Sequence, residues 1–133
     1  MPTRQKLHEQ MMGEVLAGIV RGEYPEGSRL PKETALAETH EVSRYVAREC
    51  IHALVDRGVL RVKHGVGQTV APREEWQLFD RELLQAMLAG PEASDVSSEI
   101  EECRRIVDDG LARAPGNRFL RHIAAALERA ASD

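Results

Sequence analysis

Arg44 and Arg48 stand four residues apart in the run Ser43-Arg44-Tyr45-Val46-Ala47-Arg48. On a helix that spacing puts two guanidinium groups on one face, a turn apart. Like charges so placed cost roughly 0.2–0.5 kcal/mol. Both also fall in the first turns of the helix, where the macrodipole disfavours cations. An anionic partner removes both penalties, and arginine pairs well with phosphate or with guanine O6/N7. Tyr45 and Val46 lie beside the two arginines, and all four are expected off the apolar stripe of Ala47, Cys50, Ile51 and Leu54. A solvated face that happens to be basic gives the same spacing.

Lys63-His64-Gly65 is a second basic group, at an expected hairpin tip. Basic tips insert beside phosphates, and glycine lets the backbone approach closely. An ordinary exposed hairpin reads the same way. Gly65-Val66-Gly67 leads into a strand rather than a helix, so it lacks the context of a phosphate-cradling loop.

No other residue set suggests chemistry. The five histidines, His8, His40, His52, His64 and His122, have no spacing that groups two of them as metal ligands. Adjacent acids such as Glu101-Glu102 and Asp108-Asp109 diverge by about 100° on a helix and cannot share a metal directly. Trp76 reads as a packing residue, with ligand stacking as the other use of such a ring. We therefore expect no catalytic residues, no metal, no cofactor and no enzyme activity. The lone cysteines, Cys50 and Cys103, fit a reduced, cytoplasmic protein better than a disulfide scaffold. No run approaches the ~18 apolar residues of a membrane helix, and no signal peptide opens the chain.

Charge divides the 133 residues unevenly. Residues 1–73 carry 11 Lys+Arg against 9 Asp+Glu, a net of +2, whereas residues 74–133 carry 7 against 13, a net of −6. The partner-facing charge is thus in the first half, which the net of −4 hides.

The elements that must position these groups follow from periodicity. Leu7, Met11, Val15 and Ile19 recur every four residues and predict a helix from about Arg4 to Arg21, stopped by Gly22 and Pro25. A second helix is expected from near Pro31 to near His40. Ser43 is a suitable N-cap for a third, Arg44 to about Arg57, closed by Gly58. Val59 to His64 alternates apolar and polar, and with Gln68-Ala71 predicts a β-hairpin. Beyond Pro72 the expected helices run from about Glu75 to Leu88 and from a capping-box start at Ser98-Glu99-Ile100-Glu101. A last helix, carrying Phe119, Leu120, Ile123 and Leu127, frays into Ala-Ser-Asp.

Helix, helix, tight turn, helix, hairpin is the order of a winged helix-turn-helix. The fold class expected is mainly α with one small hairpin: a winged helix-turn-helix over 1–73 and a short α-helical dimerisation domain over 74–133.

The residues that carry the pattern resemble a known family. Gly22-Glu23-Tyr24-Pro25-Glu26-Gly27-Ser28-Arg29-Leu30-Pro31, Leu36-Ala37-Glu38, Val42-Ser43-Arg44, Arg48-Glu49 and His64-Gly65 are similar to the DNA-binding domain of GntR-family bacterial transcription regulators. The likeness runs unbroken over about residues 7–71. Pro72 to Asp80 resembles the linker of the FadR-like branch. The resemblance implies that Arg44, Tyr45, Val46 and Arg48 face DNA from the recognition helix and that His64 and Gly65 do so from the wing; Ser43 and Lys63, beside them, are expected to bind DNA as well. It also implies a homodimer on a palindromic operator.

Three positions depart from the family pattern. Thr34 stands where a DNA-contacting arginine is often found, so that contact is expected lost or weakened. Glu41 replaces the usual turn glycine, so a left-handed backbone there carries a steric cost of about 1 kcal/mol. The C-terminal half is too short for a FadR-like ligand domain, and its two helices are similar in length and number to the compact YtrA-like branch. No metal or carboxylate ligand is carried over. The function expected is a sequence-specific transcription regulator, a repressor, binding double-stranded operator DNA as a homodimer, with its effector unassigned. The competing reading is a winged-helix protein–protein adaptor, which has no reason to place Arg44, Arg48, Lys63 and His64 together on recognition helix and wing.

Overall fold

A computed structural model describes residues 2–131. The expected fraying at Ser132 and Asp133 lies outside the described residues. The chain divides into two compact units, one through Gln77 and one from Leu78 onward.

The first unit opens with α1, Arg4–Arg21, over the predicted span. Thr3 caps it by accepting the Lys6 N–H, and Gly22 closes it at φ 89°. Its inner face is Met11, Met12, Val15, Leu16, Ile19 and Val20, all buried. The second helix, α2, is Glu33–Thr39, starting two residues after Pro31. The third, α3, is Arg44–Asp56, and Ser43 Oγ accepts the Val46 N–H at 3.1 Å. Such a cap stabilises a helix by about 1 kcal/mol. Between α2 and α3, Glu41 takes φ 55°, the left-handed turn that the sequence pattern anticipates.

The hairpin pairs β1, Leu60–Lys63, with β2, Gly67–Val70, antiparallel, with Lys63 opposite Gly67. Its alternation does not survive into burial. Val59 and Leu60 are both buried at its base, whereas Val62 is 61% exposed near the tip. Only the base lies over the core, so the outer half exposes both faces.

The pattern of isolated residues gave no sign of a third stretch beside the hairpin. Arg29 bridges Thr69, Leu30 N–H donates to Gln68 O, and Gly27 N–H donates to Val70 O. This segment satisfies the free edge of β2.

Gly58 turns the chain from α3 into β1 at φ 76°. A Cβ there would lie 2.1 Å from the Glu75 carbonyl oxygen, so only glycine fits. Trp76 is buried, and its Nε1–H donates to Ala71 O at 3.0 Å. It packs as expected.

The helix predicted from Glu75 to Leu88 is corrected. Arg73–Glu75 forms a 3₁₀ turn, and α4 covers only Arg81–Leu88. Gln77 N–H is drawn to Arg57 O and Trp76 takes extended backbone, which breaks the helix. Asp80 then restarts it by accepting the Leu83 N–H.

The second unit continues with α5, Ala93–Arg113, and α6, Arg118–Ala131. The former begins five residues before the Ser98 capping box. Val96 packs with Leu84 and Ala130, and that tertiary contact extends the helix past the local signal. Asn117 caps α6 by accepting both Phe119 and Leu120 N–H at 3.0 Å. At Gly110 the helices approach closely: a Cβ would lie 3.3 Å from Leu120 Cδ1.

Candidate nucleic-acid interface

The helix α3 has two faces. Ala47, Cys50, Ile51 and Leu54 are buried on one. Arg44, Tyr45 and Arg48 are exposed on the other, with Tyr45 55% exposed. Val46 is the exception to expectation. It is 3% exposed and belongs to the core. Its position is only about 40° round the helix from Cys50, so it flanks the apolar stripe rather than facing away from it. Its side chain is unavailable to a partner, and Ser43 already holds its N–H.

Ser43 and Thr34 are exposed, the latter as the second residue of α2. Lys63, His64 and Gly65 form the exposed end of the hairpin, with Gly65 at φ 79°. Val66 N–H donates to Lys63 O and closes the tip. The basic face of the hairpin is narrower than the sequence implies, because Arg61 is ion-paired to Glu75. Among the described residues, Arg44 and Lys63 have no ion-pair partner.

Two groups escaped sequence reasoning. Arg4, on the first turn of α1, sets its guanidinium 4.9 Å from the Tyr45 ring centroid, a cation–π distance. Neither α1 nor α3 has an acidic residue in its first turn, which was the available signal. The second group is Glu33. Its carboxylate takes Arg48 side-on, with Nε to Oε2 at 3.3 Å and Nη2 to Oε1 at 3.2 Å. That hydrogen bonding raises the Arg48 pKa and holds the guanidinium charged.

The orientation of α2 has its own fastener. His40 Nδ1 meets Glu14 Oε2 of α1, and this hydrogen bond is the main reason the Glu14 carboxyl lies below its ordinary pKa. Among the described residues, no cluster of His, Cys, Asp or Glu could hold a metal ion, and no helix is long and apolar enough to cross a membrane.

Comparison with known proteins points the same way. The galactonate operon transcriptional repressor of Escherichia coli K12 is 32% identical over 115 residues, covering 86% of this chain and half of the repressor. The chain thus spans half the length of that relative. A GntR family transcriptional regulator from Listeria monocytogenes shares the fold over 92% of both chains, with a TM-score of 0.50 at 17% identity. S. agalactiae BusR, solved in complex with its busAB-promotor DNA, matches 88% of this chain and 59% of its own, with a TM-score of 0.51 at 27% identity. The family model of the bacterial regulatory proteins of the gntR family covers residues 7–70, the helices and hairpin just described, and over those residues the chain carries a domain of that family.

Proposed function

We propose that the chain is a sequence-specific DNA-binding transcription regulator, a repressor, that binds a palindromic operator as a homodimer in the cytoplasm. The observation that carries this reading is the division of α3, which buries one face and leaves Arg44, Tyr45 and Arg48 in solvent on the other. A helix so divided can enter the major groove while the basic hairpin tip meets the backbone or the adjacent groove. Ser43 and Thr34 lie at the ends of α3 and α2 that approach the groove, so they contribute at most backbone contacts. The relative named as an operon repressor supports the sense of regulation, and the neighbour solved on promoter DNA supports DNA as the partner.

Residues 1–73 act as the DNA-binding module and 74–133 as the dimerising one. In the second unit Ile106 is 64% and Phe119 75% exposed, large apolar side chains that a second copy can bury. The acidic balance of this half keeps it off the DNA and leaves the basic face to dock.

Selection of bound duplexes from a random pool by the full chain tests the reading. It should enrich an inverted repeat whose half-sites lie about one helical turn, ~10 bp, or a multiple of it apart. Recovery of no common sequence would contradict it.

A further inference from the structure

We infer that Glu33 is a specificity-determining positioning residue: it holds Arg48 so that the guanidinium presents only its outer fork to a base. The inference rests on the DNA-binding reading above and names a residue which that reading does not use.

The stereochemistry carries it. A guanidinium has two edges that can donate in pairs, the Nε/Nη2 side and the Nη1/Nη2 end. Glu33 takes the Nε/Nη2 side with both carboxylate oxygens. Arg48 has no other hydrogen-bond or ion-pair partner among the described residues, so Nη1 and the outer N–H of Nη2 remain available. Those donors match the paired acceptors of guanine, O6 and N7. The Arg48 side chain is 56% exposed and that of Glu33 only 26%, so the carboxylate is the sheltered partner and the cation the presented one.

The pairing also bears on discrimination. An unpaired arginine is a mobile cation that any phosphate can attract. Paired with Glu33, Arg48 carries a local charge near zero and gains little from non-specific backbone contact. Its orientation is set before docking, so less rotamer freedom is lost on reaching the base. Arg44 has no such carboxylate among the described residues and can adapt to whatever it meets. The two arginines of α3 thus have different tasks despite identical chemistry.

The test uses the full chain, the duplex enriched from the random pool, and a scrambled duplex of equal length. The specificity ratio is the affinity for the first divided by that for the second. Glu33→Gln keeps the shape and removes the charge. The ratio should fall about tenfold, on the scale of one bidentate base contact, with the salt dependence of scrambled-duplex binding unchanged or steeper. In the Glu33→Gln/Arg48→Ala double variant the ratio should fall no further than in Arg48→Ala alone. Glu33→Asp, shorter by one methylene, should also lose discrimination; it keeps the test alive if the glutamine variant does not fold. An unchanged ratio in Glu33→Gln with tighter binding to both duplexes would overturn the proposal, for Glu33 would then be a repelling charge only. Losses that add in the double variant would also overturn it. If the wild type itself binds both duplexes equally, it is the DNA-recognition reading that fails, and this outcome is distinct from the others.

Discussion

His40 Nδ1 lies 2.5 Å from Glu14 Oε2, joining the residue that closes α2 to the middle of α1. The two helices each pack on α3, and this polar pin joins them directly. The pin ties the first helix of the helix-turn-helix to α1.

Its loss should be visible as pH dependence. The Glu14 carboxyl is shifted below its ordinary value of about 4.5, chiefly by the His40 hydrogen bond. A depressed carboxylate stabilises the fold above the unfolded pKa, and that contribution disappears as pH falls through the folded value. Glu14 is 47% exposed, so the pair is worth only about 0.5–1 kcal/mol after solvent screening. His40→Ala should therefore unfold at lower urea than the parent at pH 7, with the gap closing towards pH 3. Equal midpoints at pH 7 would contradict the pin.

At Glu41 the opposite change is expected. Its φ of 55° is a left-handed conformation in a residue with a Cβ. Glu41→Gly relieves that strain of about 1–2 kcal/mol but adds freedom to the unfolded chain, so the net stabilisation should be about 0.5–1 kcal/mol. Chemical denaturation measures it, and a destabilised variant would show that the side chain contributes more than the strain costs.

Gly58 tolerates nothing larger. An alanine would meet the Glu75 carbonyl at 2.1 Å and adopt φ 76°. Backbone must move, and the stretch that moves carries Trp76 and the Glu75 partner of Arg61. Gly58→Ala should cost roughly 2–4 kcal/mol, combining strain and overpacking. A thermal midpoint within a degree of the parent's would contradict the close approach.

Much of this organisation was legible in the sequence, for reasons that differ by element. The helix α1 and the start of α3 were readable to the residue because strong local signals, a four-residue apolar repeat and a serine cap, coincide with the tertiary face. The starts of α4 and α5 were not. There the deciding events are long-range: Gln77 bonding back to Arg57, and Val96 packing on Leu84 and Ala130. In the candidate interface, Arg44, Tyr45 and Arg48 were legible from the helical wheel. Val46 was misassigned because its neighbours' polarity concealed a position flanking the core. Glu33 could not be paired with Arg48 from sequence, since 15 residues and a turn separate them.

The exposed apolar surface of the second unit gives a further expectation. Phe119→Glu together with Ile106→Glu should leave the helices intact, because both side chains are exposed in the single chain. If a second copy covers them, sedimentation at micromolar concentration should shift from twice the chain mass to the chain mass. A wild-type monomer, or a dimer indifferent to both changes, would remove this surface from the account.

If the solvent face of α3 reads base sequence while the hairpin tip contacts the backbone, substitutions on the two surfaces should have different signatures. The deciding measurement is titration of the enriched and scrambled duplexes with the wild type, Arg48→Ala and Lys63→Ala over a range of salt concentrations. Arg48→Ala should cost ~1–3 kcal/mol per half-site on the enriched duplex and relax the preference at one base pair. Lys63→Ala should weaken binding to both duplexes alike and lower the salt slope by about one counterion per subunit. Equal affinity of all three proteins for both duplexes, or binding of neither duplex by any of them, would contradict the account.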